Sequence, residues 1–326
     1  FSFTHSYFLV AAKRPRELVR FLQRLLPNKP RAELYNAIGF NKHGKTELYR
    51  ALQAHLQCTE DRFAVARGQP GMVMIVFTME SFEYVFKVIR DQFMEPKTTT
   101  REQVMQKYRL VHEHDRAGRL VDAVEFEYLR LSRQRFEPRL LEELLDQASD
   151  TVWLDDDDVV IRHLYMERRL LPFDLFLDQA DDEACRQAVI DYGQAIRDLA
   201  ATNIFPGDLL LKNFGVTRNR RLVFYDYDEL CFLGDCRFRR LPTPSTGDEE
   251  MAAGAWFYVA PEDIFPEEFL TFLGLRGALR QVFVEHHTDL LDVTFWTGMQ
   301  RRLADGEVLD VYPYRSDRRL HRANPA

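Results

Sequence analysis

Between Phe205 and Leu230 the chain sets ionisable and amide side chains into otherwise apolar runs, "FPGDLLLKNFGV" and then "VFYDYDEL". A carboxylate taken out of water is costly unless counter-charge or hydrogen bonds answer it. Any fold for this chain must bring Asp208, Lys212, Asn213, Asp226 and Asp228 either to one another or to something that needs charge. The flanking pattern narrows the choice. "FGV" and "RLVFYDYD" read as two short strands across the polar turn "TRNRR". Upstream, "EACRQAVIDYGQAIRDLAATN" reads as a long helix with Ala188, Ile196, Leu199 and Ala200 turned inward.

Residues 1 to about 60 read mainly helical. "RPRELVRFLQRLLP" carries a stripe at Leu18, Val19, Leu22, Leu25 and Leu26 and stops at Pro27, and "KTELYRALQAHLQ" repeats the periodicity. The character changes at Gly68, where "GQPGMVMIVFTM" and "YVFKVIRDQF" predict a hairpin around "ESFE". A helix with charges spaced for a solvated face is expected from about Arg101 to Arg116. The acidic run Asp155 to Asp158 reads as a hairpin tip leading into a strand over Val159 to Tyr165; it lacks the glycine and terminal glutamate of an EF-hand loop. From about Asp248 to Leu303 the chain reads as helical, most strongly in "FPEEFLTFLG" and "LRQVFVEHHTDLLDVTFWTGMQRRL". "APED" at Ala260 to Asp263 reads as a helix start with Pro261 in the first turn, the alternative being the A-P-E that follows kinase activation loops. A strand-rich stretch thus precedes a helix-rich one, with the charged signature just inside the second.

Composition removes several function classes. A net charge of −7 and a pI near 5.8 give no nucleic-acid footprint. No apolar run reaches the length of a membrane span. Of the four cysteines, Cys58, Cys185, Cys231 and Cys236, only the last two are close, and a single C-x4-C lacks the second pair a zinc site wants. Reduced thiols in a cytoplasmic protein are expected. The pairs His112/His114 and His286/His287 lack metalloprotease spacing and read as surface or helix-face residues. The opening "FSFTHSYFLVAAKRPRELV" has neither an initiating Met nor the order of a signal peptide, so the chain reads as a fragment of a longer protein.

Phosphoryl transfer needs phosphates positioned, charge neutralised by a divalent metal, and a carboxylate near the attacking hydroxyl. Asp208 opens a D-x4-N that ends at Asn213, a spacing suited to a base and a metal-binding carboxamide. Lys212 would touch the transferring phosphate. Asp226, eighteen residues after Asp208, closes a strand where a metal-binding aspartate belongs. Asp228, two along the same extended segment, is expected to point the same way. Lys87 stands on the strand after the glycine-containing turn "ARGQPGMV", whose backbone would cover the phosphates. Each piece alone has a bland reading: a turn aspartate, a snorkelling lysine, an ordinary hairpin turn. Their order along the chain favours a phosphotransferase, acting on a protein or on a small molecule; a nucleotide-binding regulator without turnover is the reading from another class.

The blocks "GMVMIVFT", "YVFKVI", "VIRHLYMERR", "NIFPGDLLLKNFGVTRNRRLVFYDYDEL" and "FPEEF" resemble the bacterial isocitrate dehydrogenase kinase/phosphatase family along essentially the whole chain. The "PGD" and "DYD" are specific, since common kinases read H-R-D and D-F-G there. The resemblance implies an α+β, bilobal protein-kinase-like fold: a smaller antiparallel-sheet lobe over 61–166 and a larger helical catalytic lobe over 167–326. A helical segment, 1–60, precedes them as the end of an amino-terminal regulatory region. It implies a cytoplasmic enzyme that uses ATP and Mg2+ to phosphorylate a serine of isocitrate dehydrogenase and also removes that phosphate, controlling flux between the citric acid cycle and the glyoxylate bypass, with ADP and AMP as possible effectors. Carried over by position, Asp208 is the base, Asn213 and Asp226 are metal ligands, and Lys87 is the phosphate lysine. Ala66, Arg67, Gly68, Gln69, Pro70, Gly71 and Met72 form the nucleotide loop. Asp122 in "RLVDAVEF" matches an acidic active-site position associated with the phosphatase side; without the resemblance it reads as a solvent-facing helix residue. The loop departs from the family's A-P-G-x-x-G at Arg67, and Arg67 and Pro70 are expected to alter its shape and nucleotide affinity.

Overall fold

The computed structural model describes residues 9–312 except 69–70, 96, 98, 243–256 and 261. The chain divides into two compact units, 1–115 with 120–170, and 116–119 with 171–326.

In the first unit, α1 (Pro15–Leu25) starts on a proline and lays Val19 against Leu34 and Tyr35 of α2 (Arg31–Ala37) and against Ile38. Helix α3 (Asn41–Cys58) sends Leu48 and Leu52 into the core beneath an antiparallel sheet. The strands are β1 (Ala64–Val65), β2 (Met74–Thr78), β3 (Tyr84–Ile89), β4 (Ala123–Ser132), β5 (Val152–Asp155) and β6 (Asp158–Arg168), in the order β1-β2-β3-β6-β4 with β5 also on β6. Register sets Lys87 opposite Val76 on one side and Tyr165 on the other. Strand alternation then gives the sheet two characters. One face carries Ile75, Phe77, Phe86, Val88, Phe126, Leu164 and Met166, packed with Phe63, Phe136 and α5 (Pro138–Gln147). The opposite face carries Lys87, Tyr165 and Glu167.

Helix α4 (Arg101–His114) is shorter than expected and is not simply solvated. A capping box between Thr100 and Gln103 starts it, and Val104, Tyr108 and Val111 bury an i, i+4, i+7 stripe. The Tyr108 ring stacks on Tyr165 with centroids 3.9 Å apart. The acidic run forms a hairpin tip: Asp155 pairs with Asp158, Asp156 takes a positive φ, and Arg130 reaches Asp155 at 2.5 Å and Asp158 at 3.3 Å.

In the second unit, β7 (Leu171–Pro172) and α6 (Phe173–Gln179) lead to α7 (Asp182–Ala200), capped by Asp181, whose Oδ1 accepts from Ala184 N at 2.8 Å. The buried face of α7 includes Ala188, Val189, Tyr192, Ile196 and Leu199. Arg119 is buried against it. Its guanidinium meets both Asp191 oxygens at 2.7 and 2.8 Å, Asp198 at 2.7 Å and the Leu222 carbonyl at 2.9 Å. Although burial opposes ionisation of Asp191, Arg119 holds its carboxyl below the usual carboxylate range. Strand β8 (Ile204–Phe205) leads toward Asp208. Strands β9 (Phe214–Val216) and β10 (Leu222–Phe224) then form the hairpin expected around "TRNRR", with Phe224 opposite Phe214.

The carboxy-terminal helical reading needs two corrections. Ala260 N bonds to Asp263 at 3.0 Å, and Asp263 begins a short strand, Asp263–Ile264, rather than a helix; its carboxylate is held by Arg237 and Arg239. Pro261 lies outside the described residues, as do 248–256 of the segment expected to be helical. The long final segment is two helices, Gly277–His287 and Val293–Ala304, broken by a 3-10 turn over Thr288–Leu291. Asp292 restarts the chain by capping Thr294 N at 2.7 Å, and the Trp296 indole donates to the Leu290 carbonyl at 2.8 Å.

Helix Gly277–His287 packs on α7 where a side chain at Gly193 would collide with the His287 ring. His287 donates from Nε2 to the Ile190 carbonyl at 2.9 Å, and its Nδ1 accepts from Arg197 Nε at 3.3 Å. Burial, helped by the Arg197 charge, lowers its pKa to about 4. An unfolded histidine titrates near 6.5. Between those values the unfolded chain binds the extra proton. This contribution is therefore complete above about pH 6.5 and is lost as pH falls toward 4, by at most about 1.4 kcal/mol per pH unit. Urea unfolding across that window is expected to show this slope for the wild type, and a slope shallower by one proton for His287→Gln.

Candidate active site

Each unit holds a share of the expected residues. In the second, the chain leaves β8 through Pro206 and Gly207, and Gly207 has φ +79° with no room for a Cβ against the Glu229 carbonyl. A left-handed turn at that point sets Asp208, half-buried, at the head of a tight loop. Asp208 Oδ1 accepts from Leu210 N at 2.9 Å, so one carboxylate oxygen fixes the loop. A 3-10 turn over Leu211–Asn213 then brings Asn213 Nδ2 back to the Asp208 carbonyl at 3.4 Å. Asn213 is 2% exposed.

Two bonds from Tyr225 join this loop to the segment carrying the later aspartates: its N–H donates to the Asn213 carbonyl at 3.1 Å, and its hydroxyl donates to the Lys212 carbonyl. Asp226 therefore follows directly on a residue bonded to the D-x4-N loop. The Tyr192 hydroxyl, from α7, donates to the Leu209 carbonyl. Burial and then the Asp208 charge push that phenol well above its ordinary value, so it remains a donor. The extended segment does not run as far as expected. β10 ends at Phe224, two residues before Asp226, and Leu230 N bonds to Tyr227 O at 3.2 Å. Asp228 thus sits in a turn, and strand alternation does not set its direction relative to Asp226. The buried Tyr227 side chain, 1% exposed, anchors that turn.

In the first unit, Lys87 is 7% exposed and its Nζ lies 2.7 Å from Glu167 Oε2. Glu167 is 1% exposed, and its other oxygen accepts from the Tyr108 hydroxyl at 3.1 Å. The snorkelling reading of Lys87 fails: the ammonium is buried in an ion pair. Of the nucleotide-loop residues, Ala66 N bonds to Val76 O at 2.9 Å, Arg67 and Gly68 are exposed, and Gly68 has φ +122° with open space where a Cβ would stand. The Gly71 carbonyl accepts from Arg90 Nε at 3.1 Å, and a Cβ on Gly71 would lie 2.7 Å from Met74 O. The Met72 carbonyl accepts from Met94 N at 3.2 Å. Gln69 and Pro70 lie outside the described residues. Asp122 is not on a helix. It immediately precedes β4, next to Ala123, the register partner of Glu167, and its Oδ2 accepts from Asn36 Nδ2 at 3.0 Å.

The loop is tight enough to be tested at Gly207. Gly207→Ala is expected to cost about 1–3 kcal/mol in a denaturant melt, because φ is left-handed and the added methyl meets backbone. A melt identical to the wild type would refute the packing.

Sequence reasoning missed Glu167, Tyr108, Asn36 and the two loop-bracing tyrosines, Tyr192 and Tyr225. Glu167 was within reach of it, since a glutamate two residues after Tyr165 in an apolar strand faces the same side. The others are partners in space only.

The comparisons with known proteins bear on both units. Residues 61–316 match the family model described as the isocitrate dehydrogenase kinase/phosphatase (AceK) kinase domain, and residues 1–60 match that family's regulatory domain. A protein of Anaeromyxobacter sp. (strain Fw109-5), called isocitrate dehydrogenase kinase/phosphatase, is 56% identical over 320 residues, which is 98% of this chain and 56% of that protein. Namesakes from Anaeromyxobacter dehalogenans (strain 2CP-C) and Serratia proteamaculans (strain 568) are 53% and 48% identical, over 57% and 56% of their own lengths. Among solved structures, the Cydia pomonella granulovirus kinase PK-1 aligns with a TM-score of 0.30 and 13% identity over 76% of this chain and 73% of its own, which adds nothing to the assignment. The chain spans about half the length of the curated relatives it matches. With a kinase-domain match over 61–316 and a regulatory-domain match before it, the chain belongs to the isocitrate dehydrogenase kinase/phosphatase family.

Proposed function

We propose that this chain carries the catalytic region of a bifunctional enzyme that uses ATP and Mg2+ to phosphorylate a serine of isocitrate dehydrogenase and removes the same phosphate, switching carbon between the citric acid cycle and the glyoxylate bypass in the cytoplasm. Family membership supports the substrate. The observation that carries the chemistry is the braced loop Gly207–Asn213 with Tyr225 bonded across it. Residues 1–60 are the end of the regulatory region, 61–166 the nucleotide-binding part and 167–326 the catalytic part; AMP and ADP are the effectors to test. Among the described residues no helix is long and apolar enough to cross a membrane.

Asp208 is the base: one oxygen is spent on Leu210 N–H, and the other takes the serine proton. Lys212, held through its carbonyl, meets the transferring phosphate. Lys87, ion-paired with Glu167, meets the nucleotide phosphates, and Ala66 to Met72 are the nucleotide-loop residues. The residues present fit Mg2+. Asp226 offers a carboxylate, and Asn213 spends its NH2 on the Asp208 carbonyl, which turns its acceptor oxygen the other way. Mg2+ takes such hard oxygen donors, keeps several waters and needs few protein ligands. When bound, the ion neutralises phosphate charge. For the reverse reaction Asp228 or Asp122 orients the attacking water.

The test incubates the chain, and the full-length protein beside it, with terminally labelled ATP, Mg2+ and isocitrate dehydrogenase, then chases with excess unlabelled ADP. Label is expected to enter a serine of the dehydrogenase and then leave it. Nucleotide binding without label on the dehydrogenase, in both samples, would replace this reading with a non-catalytic regulator.

A further inference from the structure

Cys231 and Cys236 take no part in the proposed chemistry, yet their Sγ atoms lie 3.6 Å apart, in van der Waals contact. Both are half-buried, and the residues between them include exposed Gly234 and Asp235. The proximity is built by the backbone. Cys231 lies in a short strand, Cys231–Phe232, paired with β8 so that Cys231 is opposite Phe205. A 3-10 turn, Leu233–Asp235, then returns the chain, and Cys236 N bonds to Leu233 O at 3.2 Å. The turn is pinned from outside: Asn203 Oδ1 accepts from Gly234 N at 3.0 Å, and Gln300 Nε2 donates to the Leu233 and Cys236 carbonyls at 2.8 Å each. Two sulfurs held in contact on a closed turn have paid most of the entropy of meeting.

We propose that Cys231 and Cys236 form a reversible dithiol/disulfide site, oxidised by small-molecule disulfides of the glutathione class. The Cys231 thiolate attacks one sulfur of the reagent, forming a mixed disulfide and expelling one reagent thiolate. The Cys236 sulfur then attacks Cys231, expelling the second. The two thiol protons pass to the two departing thiolates, and the two electrons reduce the reagent's S–S bond to two thiols. The hydrogen bond between the two sulfurs, together with burial, holds the Cys236 thiol well above its ordinary value. That restraint ends once Cys231 carries the mixed disulfide. The bond would lie opposite Phe205, three residues before Asp208, and would pin the strand pair that delivers the loop.

The test treats the folded chain with oxidised glutathione and maps peptides by intact and digested mass. In wild type, the peptide holding both cysteines is expected to lose two hydrogen atoms and regain them with dithiothreitol, while exposed Cys58 stops at the glutathione adduct. In Cys236→Ser the adduct is expected to persist on Cys231. Three results would overturn the proposal: a stable glutathione adduct on Cys231 or Cys236 in wild type, no change on either while Cys58 reacts, or loss of the two hydrogens only after denaturant is added. The readout does not depend on phosphate transfer.

Discussion

Asp208→Asn is expected to slow phosphate transfer to isocitrate dehydrogenase by about 10²- to 10⁴-fold, the usual cost of losing a positioned general base. Asparagine is the informative replacement because its carbonyl oxygen still accepts from Leu210 N, so the loop keeps the bond that shapes it. The melting temperature should stay close to that of the wild type, and nucleotide binding should be retained. Single-turnover transfer is the measurement, since it is blind to slow product release. A normal rate in the variant would remove Asp208 from the role of base and leave the "PGD" loop as a structural turn.

Lys87→Met is expected to lower unfolding stability by about 3–5 kcal/mol, since it strands the Glu167 carboxylate in a buried site. Glu167 is more buried than its partner, and the Tyr108 hydroxyl donates to its other oxygen. The companion variant, Lys87→Met with Glu167→Gln, removes both charges and keeps an acceptor for Tyr108. It should recover most of the stability without recovering nucleotide affinity. A double variant as unstable as the single one would show that Lys87 acts through packing rather than charge. Urea melts of the three proteins decide the stability question; titration with an ATP analogue decides the affinity.

The two units were unequally legible in the sequence, and the reason is geometric. Strands and hairpins could be read where a residue's neighbour is two positions away: the "ESFE" hairpin, the acidic tip at Asp155–Asp158 and the "TRNRR" hairpin follow from alternation and turn chemistry. The grouping of Asp208 with Asn213 in one loop could be read from the D-x4-N spacing. Asp228 could not, because its direction rests on where β10 stops and on a turn set by buried Tyr227. The break at Thr288–Leu291 was masked by helical periodicity running on through it. Only the cap at Asp292 marks the restart. Asp122 illustrates a third case. Its neighbours in sequence suggest a helix, and its partner Asn36 is far along the chain, so its place at the edge of β4 emerges only in three dimensions.

The Arg119 site has a consequence for dissecting the molecule. Residues 116–119 belong to the second unit although the chain on either side belongs to the first, so the polypeptide passes between units three times. Asp191 and Asp198 on α7 receive their counter-charge from this upstream loop. A chain begun at Leu171, the obvious point for expressing the catalytic part alone, would therefore bury two carboxylates without their cation. The second unit is not autonomous in the order in which the ribosome makes it: its keystone is translated before the helix it holds.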